Sequence, residues 1–181
     1  LSTQAVAGHQ IAINVASTAF MIPFGLATAI TARVGQAKGL GSWYQVRFRG
    51  ATGIGLSVII MMGTASLMAL FPQFITQLYT SDVEVQQIAI QLLLMAAIFQ
   101  LSDGLQVSGF GALRGLKDTR IPMLVNLIAY WVVGLPLGYY LGIINNIGPI
   151  GLWVGLIAGL TVAAMLHNIR FYRLTRRQLI G

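Results

Sequence analysis

The chain has no cysteine, which excludes disulfide scaffolds, thiolate metal sites and cysteine nucleophiles. Charge is scarce as well. Only 8% of the 181 residues are Asp, Glu, Lys or Arg, against about 25% in soluble domains, too few to cover a water-facing surface. Acids are rarest, four against eleven basic residues. There is no Walker loop, nucleophile elbow or metal-ligand spacing, and Gly53-Ile54-Gly55 lies inside an apolar run. His9 and His167 fall at opposite ends of their apolar runs, a bilayer thickness apart, so they form no dyad. Asp103 has neither a histidine nor a second acid within its own helix turn. An enzyme is not expected. What is abundant is apolar surface, at 56% of residues, with 21 glycines to let helices approach closely. The composition is that of an all-α, polytopic membrane protein.

A crossing needs roughly 20 apolar residues. Apart from His9, residues 5–32 carry no ionisable acid or base; 50–81 carry none, and 85–113 carry only Asp103. The last run, 121–169, would make a helix of ~74 Å, too long for one crossing. The turn signal Asn145-Asn146-Ile147-Gly148-Pro149 divides it. Five transmembrane helices are expected, near 5–32, 52–76, 86–112, 121–143 and 149–169.

The basic residues test that count independently. Arg33, Lys38, Arg47 and Arg49 lie between the first two spans, Arg114, Lys117 and Arg120 between the third and fourth, and Arg170, Arg173, Arg176 and Arg177 after the fifth. The alternate loops hold Asp82 and Glu84 or no charge. Positive residues favour the cytoplasmic side, so residue 1 is expected outside and the C-terminus in the cytoplasm. A nucleic-acid patch would not alternate in this way, and no nucleic-acid partner is expected. A first span that enters from outside, in a chain starting at Leu1 rather than a methionine and with no basic leader, reads as the C-terminal part of a longer protein.

Asp103 is the sharpest single feature. It lies about four residues, ~6 Å, from the midpoint of its span, where a carboxylate costs roughly 2.5–3.5 kcal/mol. No basic residue lies inside any span, so a mobile cation is its natural partner. The alternative is a neutral acid that locks helices together. Gln100 and Gln106 each lie three residues away on the adjoining helix face. In span one Gln10, Asn14, Ser17, Thr18 and Met21 form one stripe, either lining a cavity or joining helices. Asn126 and Tyr130 make a similar pair on span four. Pro23 and Pro136 are expected to kink or loosen their helices.

The residues Ala5-Val6-Ala7-Gly8-His9-Gln10-Ile11-Ala12-Ile13-Asn14, followed by Arg33-Val34-Gly35-Gln36, resemble the eighth membrane helix of multidrug and toxic compound extrusion transporters, NorM-like bacterial branch. Phe99-Gln100-Leu101-Ser102-Asp103-Gly104-Leu105-Gln106 with Leu113-Arg114-Gly115-Leu116-Lys117-Asp118-Thr119-Arg120 resembles the tenth helix and its loop. Ala129-Tyr130-Trp131 with Gly134-Leu135-Pro136-Leu137-Gly138 resembles the eleventh.

The resemblance implies helices eight to twelve of a twelve-helix, two-lobe transporter in the bacterial inner membrane. Such a protein exports bulky, often cationic, drugs in exchange for Na⁺ or H⁺. It also implies that Asp103 is the cation-coupling carboxylate, with Na⁺ the only metal ion in question and no other cofactor. The family pairs this acid with a glutamate of the seventh helix. That helix and the N-terminal lobe are not in this chain, and alone it is expected to be inactive. An aromatic hydroxyl that some members carry one turn earlier is Phe99 here. The alternatives are a lipid-linked saccharide exporter of the same superfamily, which would be expected to place basic residues in its cavity, and a non-transporting membrane fragment.

Overall fold

The computed structural model describes residues 2–180; Leu1, expected outside the membrane, and Gly181 lie outside the described residues. The described chain is almost wholly helical. Five helices or helical runs are long and apolar enough to cross a membrane.

The first is α1 (Thr3–Gly39), capped by Ser2, whose hydroxyl accepts from Ala5 N–H. Pro23 is buried within it, and α-helical structure continues on both sides. The expected kink is therefore not a break in the helix. Gly41, at φ 73°, makes the tight turn into α2 (Trp43–Leu70). α2 differs from the expected 52–76 at both ends. Charge marks where a chain leaves hydrocarbon, not where its helix stops, so the turns bearing Arg47 and Arg49 stay helical back to a cap at Ser42. At the other end the helix stops at Leu70. Pro72, lacking an N–H, suits the first turn of a new helix, and it opens the short α3 (Pro72–Gln77).

Asp82 then caps α4 (Val83–Gly115) by accepting from the N–H groups of Glu84 and Val85. The fourth span, Arg120–Ile144, is not one regular helix. It comprises α5 (Arg120–Ile128), π-helical Ala129–Gly134, α6 (Leu135–Tyr139) and π-helical Tyr140–Ile144. Pro136 begins α6. Its missing donor and the clash of its ring with the preceding turn account for the wider π turn before it. Asn146 and Gly148, both at positive φ, turn the chain into α7 (Pro149–Ile180).

α4 is the hub, packed against α1, α2, α3 and α7, while the fourth span packs mainly on α7. Among the described residues two larger apolar cores result, beside a small one of Ile11, Val85 and Ala89. One joins Ala12 and Ala16 with Met68, Leu92, Ala96 and Trp153. The other joins Ile30, Val34, Val46, Leu113 and Phe171. The many small side chains let backbones meet: Thr31 Oγ1 lies 2.8 Å from Gly111 O across the α1–α4 contact. Beyond the second core the basic residues gather at one end. There Lys38 Nζ donates to Leu116 O at 2.7 Å, Arg170 pairs with Asp118 at 2.6 Å, and the Arg47 guanidinium lies 4.3 Å from the Tyr172 ring centroid.

Candidate cation and ligand site

Asp103 lies in the middle of α4, where neighbouring positions are tied to different helices. Ser102 Oγ meets Thr161 Oγ1 of α7 at 2.7 Å. Ser57 of α2 donates to Gly104 O at 3.2 Å, and Asn168 of α7 donates to Leu105 O at 3.0 Å. Gln106 Nε2 donates to Asn126 Oδ1 at 3.0 Å and to the Tyr130 hydroxyl at 2.9 Å on the fourth span. These bonds fix the segment. Among the described residues, none donates a hydrogen bond to the Asp103 carboxylate itself.

That carboxylate borders a cavity of 230 Å³ between α1, α4 and α7. α1 contributes Ile13, Ala16, Ser17 and Phe20, and Phe99 stands one turn from the acid. Trp153 of α7 meets Phe99 edge to face, with ring centroids 5.6 Å apart, while its Nε1 donates to His9 Nδ1 at 3.2 Å. The cavity is thus apolar and aromatic with one ionisable oxygen pair. It offers a cation a counter-charge and π-faces. Among the described residues, no three of His, Asp or Glu cluster as a metal cage.

The polar residues singled out in the sequence do not all converge on the cavity at Asp103. Gln100 is buried against α2, accepting from Thr64 Oγ1 at 2.7 Å and approaching Met68 Sδ at 3.2 Å. Gln106 turns to Asn126 and Tyr130, so that trio is an inter-helix network. On α1, Gln10, Asn14 and Thr18 are exposed. Thr18 bonds its own helix at Asn14 O, and Asn14 Oδ1 accepts from the Tyr79 hydroxyl at 3.4 Å. Of the α1 stripe only Ser17 reaches the Asp103 cavity.

Several supporting residues were missed. Ser57 with Thr64, and Thr161 with Asn168, are spaced i, i+7 in otherwise apolar spans, a same-face signal present in the sequence. Trp153 carries no such pattern. His167 is fully buried, its ring nitrogens 3.5 Å from Gln106 O and 3.3 Å from Pro122 O. It joins α4, α5 and α7, while His9 accepts from Trp153. Replacing Gln106 by Leu is expected to lower the stability by about 0.5–1.5 kcal/mol for the lost interhelical bonds, read as a lower midpoint in a melting curve.

Fold and site together define a multi-pass helical membrane protein built around a partly buried acid beside an aromatic cavity. A family model described as MatE matches residues 1–140. The chain belongs to that family. It is 49% identical over 176 residues to a probable multidrug resistance protein NorM of Xanthomonas axonopodis pv. citri (strain 306), covering 97% of this chain and 38% of that protein. It is 45% identical over 181 residues to the multidrug resistance protein PmpM of Pseudomonas aeruginosa, covering 98% and 38%. The chain therefore spans well under half the length of the relatives it matches.

Its fold matches that of a eukaryotic MATE transporter, AtDTX14, with a TM-score of 0.87 at 22% identity, over 97% of this chain and 40% of that one. Inward- and outward-facing structures of a MATE family multidrug resistance transporter match with TM-scores of 0.84 and 0.87 at 16% and 17% identity. They cover 94% and 97% of this chain and 39% and 40% of theirs.

Proposed function

We propose that the full-length parent exports organic, often cationic, drugs by antiport with Na⁺ or H⁺, and that Asp103 is the carboxylate through which the cation is coupled. One observation carries this reading. Asp103 opens on an aromatic cavity with, among the described residues, neither a fixed counter-ion nor a hydrogen-bond donor of its own, while the residues on either side of it are tied down. A mobile cation is the partner such a group lacks. The relatives described as multidrug resistance proteins support the drug as cargo, and the solved structures of this fold described as transporters favour transport over an enzyme.

Exposed Gln10, Asn14 and Thr18 belong, on this reading, to a cavity wall completed by the missing seventh helix and N-terminal lobe. The basic end faces the cytoplasm of a bacterial inner membrane, in accord with the positive-inside rule. Near-equal likeness to inward- and outward-facing structures suits a unit that moves as a body in alternating access. Cation and drug each bias the same equilibrium and so couple.

The test is efflux of a fluorescent organic cation from vesicles holding the full-length parent, under an imposed Na⁺ or proton gradient. Efflux that follows one gradient is expected and names the ion. The absence of gradient-driven efflux across several organic cations would overturn the reading in favour of the saccharide exporter or a non-transporting role.

A further inference from the structure

The cluster of basic side chains at the end of α7 is not used by the cavity at Asp103. Arg170, Arg173 and Arg177 are spaced three and four residues apart and share one helix face. They border a groove of 320 Å³. Its remaining wall is apolar: Ile121 and Val125, one turn apart on α5, face Leu166 and Ile169 of α7. A shallower concavity continues past Arg173, Arg176 and Arg177 to Ile180.

Of the three arginines on that face, only Arg170 has an acidic partner among the described residues, Asp118. The chain has three other acids. Asp82 caps the far end of α4, Glu84 lies in its first turn, and Asp103 lies within the bundle. Among the described residues, no acid pairs with Arg173 or Arg177. Charges that served only to orient the chain during insertion would need no slot between helices beneath them. A small soluble anion would need no apolar wall.

We propose that the groove between α5 and the end of α7 binds an anionic glycerophospholipid. The phosphate is held by Arg173 and Arg177, and one acyl chain lies against Ile121, Val125, Leu166 and Ile169. Guanidinium groups match phosphate oxygens in paired hydrogen bonds. Basic pockets between membrane helices at the anionic cytoplasmic leaflet favour such headgroups. The inference rests on the cytoplasmic placement of the basic end given above, not on drug transport or on Asp103.

The experiment is native mass spectrometry of the full-length parent released from mixed micelles of phosphatidylglycerol and phosphatidylcholine. Parent protein is expected to retain phosphatidylglycerol over phosphatidylcholine by roughly tenfold. Arg173→Gln with Arg177→Gln removes that preference, and so does Val125→Trp, which fills the slot and keeps both arginines. Arg33→Gln with Arg49→Gln removes equal charge from the same end and leaves the preference intact. Glycerol 3-phosphate does not compete.

Four results would overturn the proposal. Equal loss in the Arg33/Arg49 variant would mean diffuse charge. Full retention in Val125→Trp would mean no slot. Displacement by glycerol phosphate would mean a soluble-anion site. No preference in the parent would mean that the rest of the polypeptide covers the groove. None of these outcomes reads efflux, so failure here leaves the proposed antiport standing.

Discussion

Replacing Asp103 by Asn in the full-length parent is expected to reduce gradient-driven drug efflux to background, a loss of at least about tenfold, while the protein remains inserted and folded. The first half follows from the coupling role proposed for Asp103, the second from the geometry. Asn keeps the shape of the side chain and removes its charge. A cation that no longer distinguishes two states of the transporter cannot shift their populations, however steep its gradient. A coupling free energy of about 1–3 kcal/mol corresponds to roughly 5–150-fold in affinity, so its removal is large on the scale of an efflux assay.

The fold should tolerate the change because the surrounding bonds do not pass through this carboxylate. Ser102, Gly104, Leu105 and Gln106 make the contacts to α2, α7 and the fourth span. No donor among the described residues is left without a partner when the acid goes, which is where the usual cost of such a change arises. An amide also avoids the roughly 2.5–3.5 kcal/mol of a mid-membrane carboxylate on insertion scales. The thermal midpoint should therefore hold or rise as efflux falls. Wild-type efflux in the variant would return Asp103 to the role of a residue that packs helices. A collapse in folded yield would show the segment to depend on the carboxylate after all.

The number of spans was legible because hydrocarbon imposes one requirement, an apolar length, on every crossing. The ends of the helices were not, since that requirement stops at the headgroups. The Arg47 and Arg49 turns and the Phe71-Pro72 break follow local caps and donors that hydropathy does not register. Asp103 was legible for the converse reason, as a charge where charge is costly.

Its glutamine neighbours are parted by helix geometry. At about 100° per residue, positions three before and three after Asp103 lie ~60° to either side of it and ~120° from each other. Gln100 accordingly meets α2 and Gln106 the fourth span, and neither borders the cavity between α1 and α7. The aromatic wall depends on Trp153 coming from α7 against Phe99, a contact with no trace in local spacing. The π turns around Pro136 were legible only as a loosening at that proline.

The second large effect is expected at Gly155, where Gly155→Ala should destabilise the protein by about 1–3 kcal/mol or more, the range for overpacking. The fourth span and α7 meet through glycines four residues apart on each helix: Gly134, Gly138 and Gly142 against Gly151, Gly155 and Gly159. A methyl group on Gly155 would run into the Gly138 backbone and lie 2.6 Å from Gly134 O. Those obstacles are main-chain atoms. They cannot swing aside as a side-chain end does, so the helices must separate.

Separation is costly here because the fourth span packs mainly on α7, and its π turns leave it less regular than its neighbours. Gly55→Ala on α2 is the matched comparison. A methyl there meets nothing within 4 Å, and alanine in place of a helical glycine is worth up to about 1 kcal/mol in the favourable direction. Thermal melting of the two variants should therefore move in opposite senses. A common drop would point to a general intolerance of larger residues in these helices. A Gly155→Ala protein as stable as the parent would show that the span can move off α7 at little cost, making the glycine contact a sliding surface rather than a fixed one.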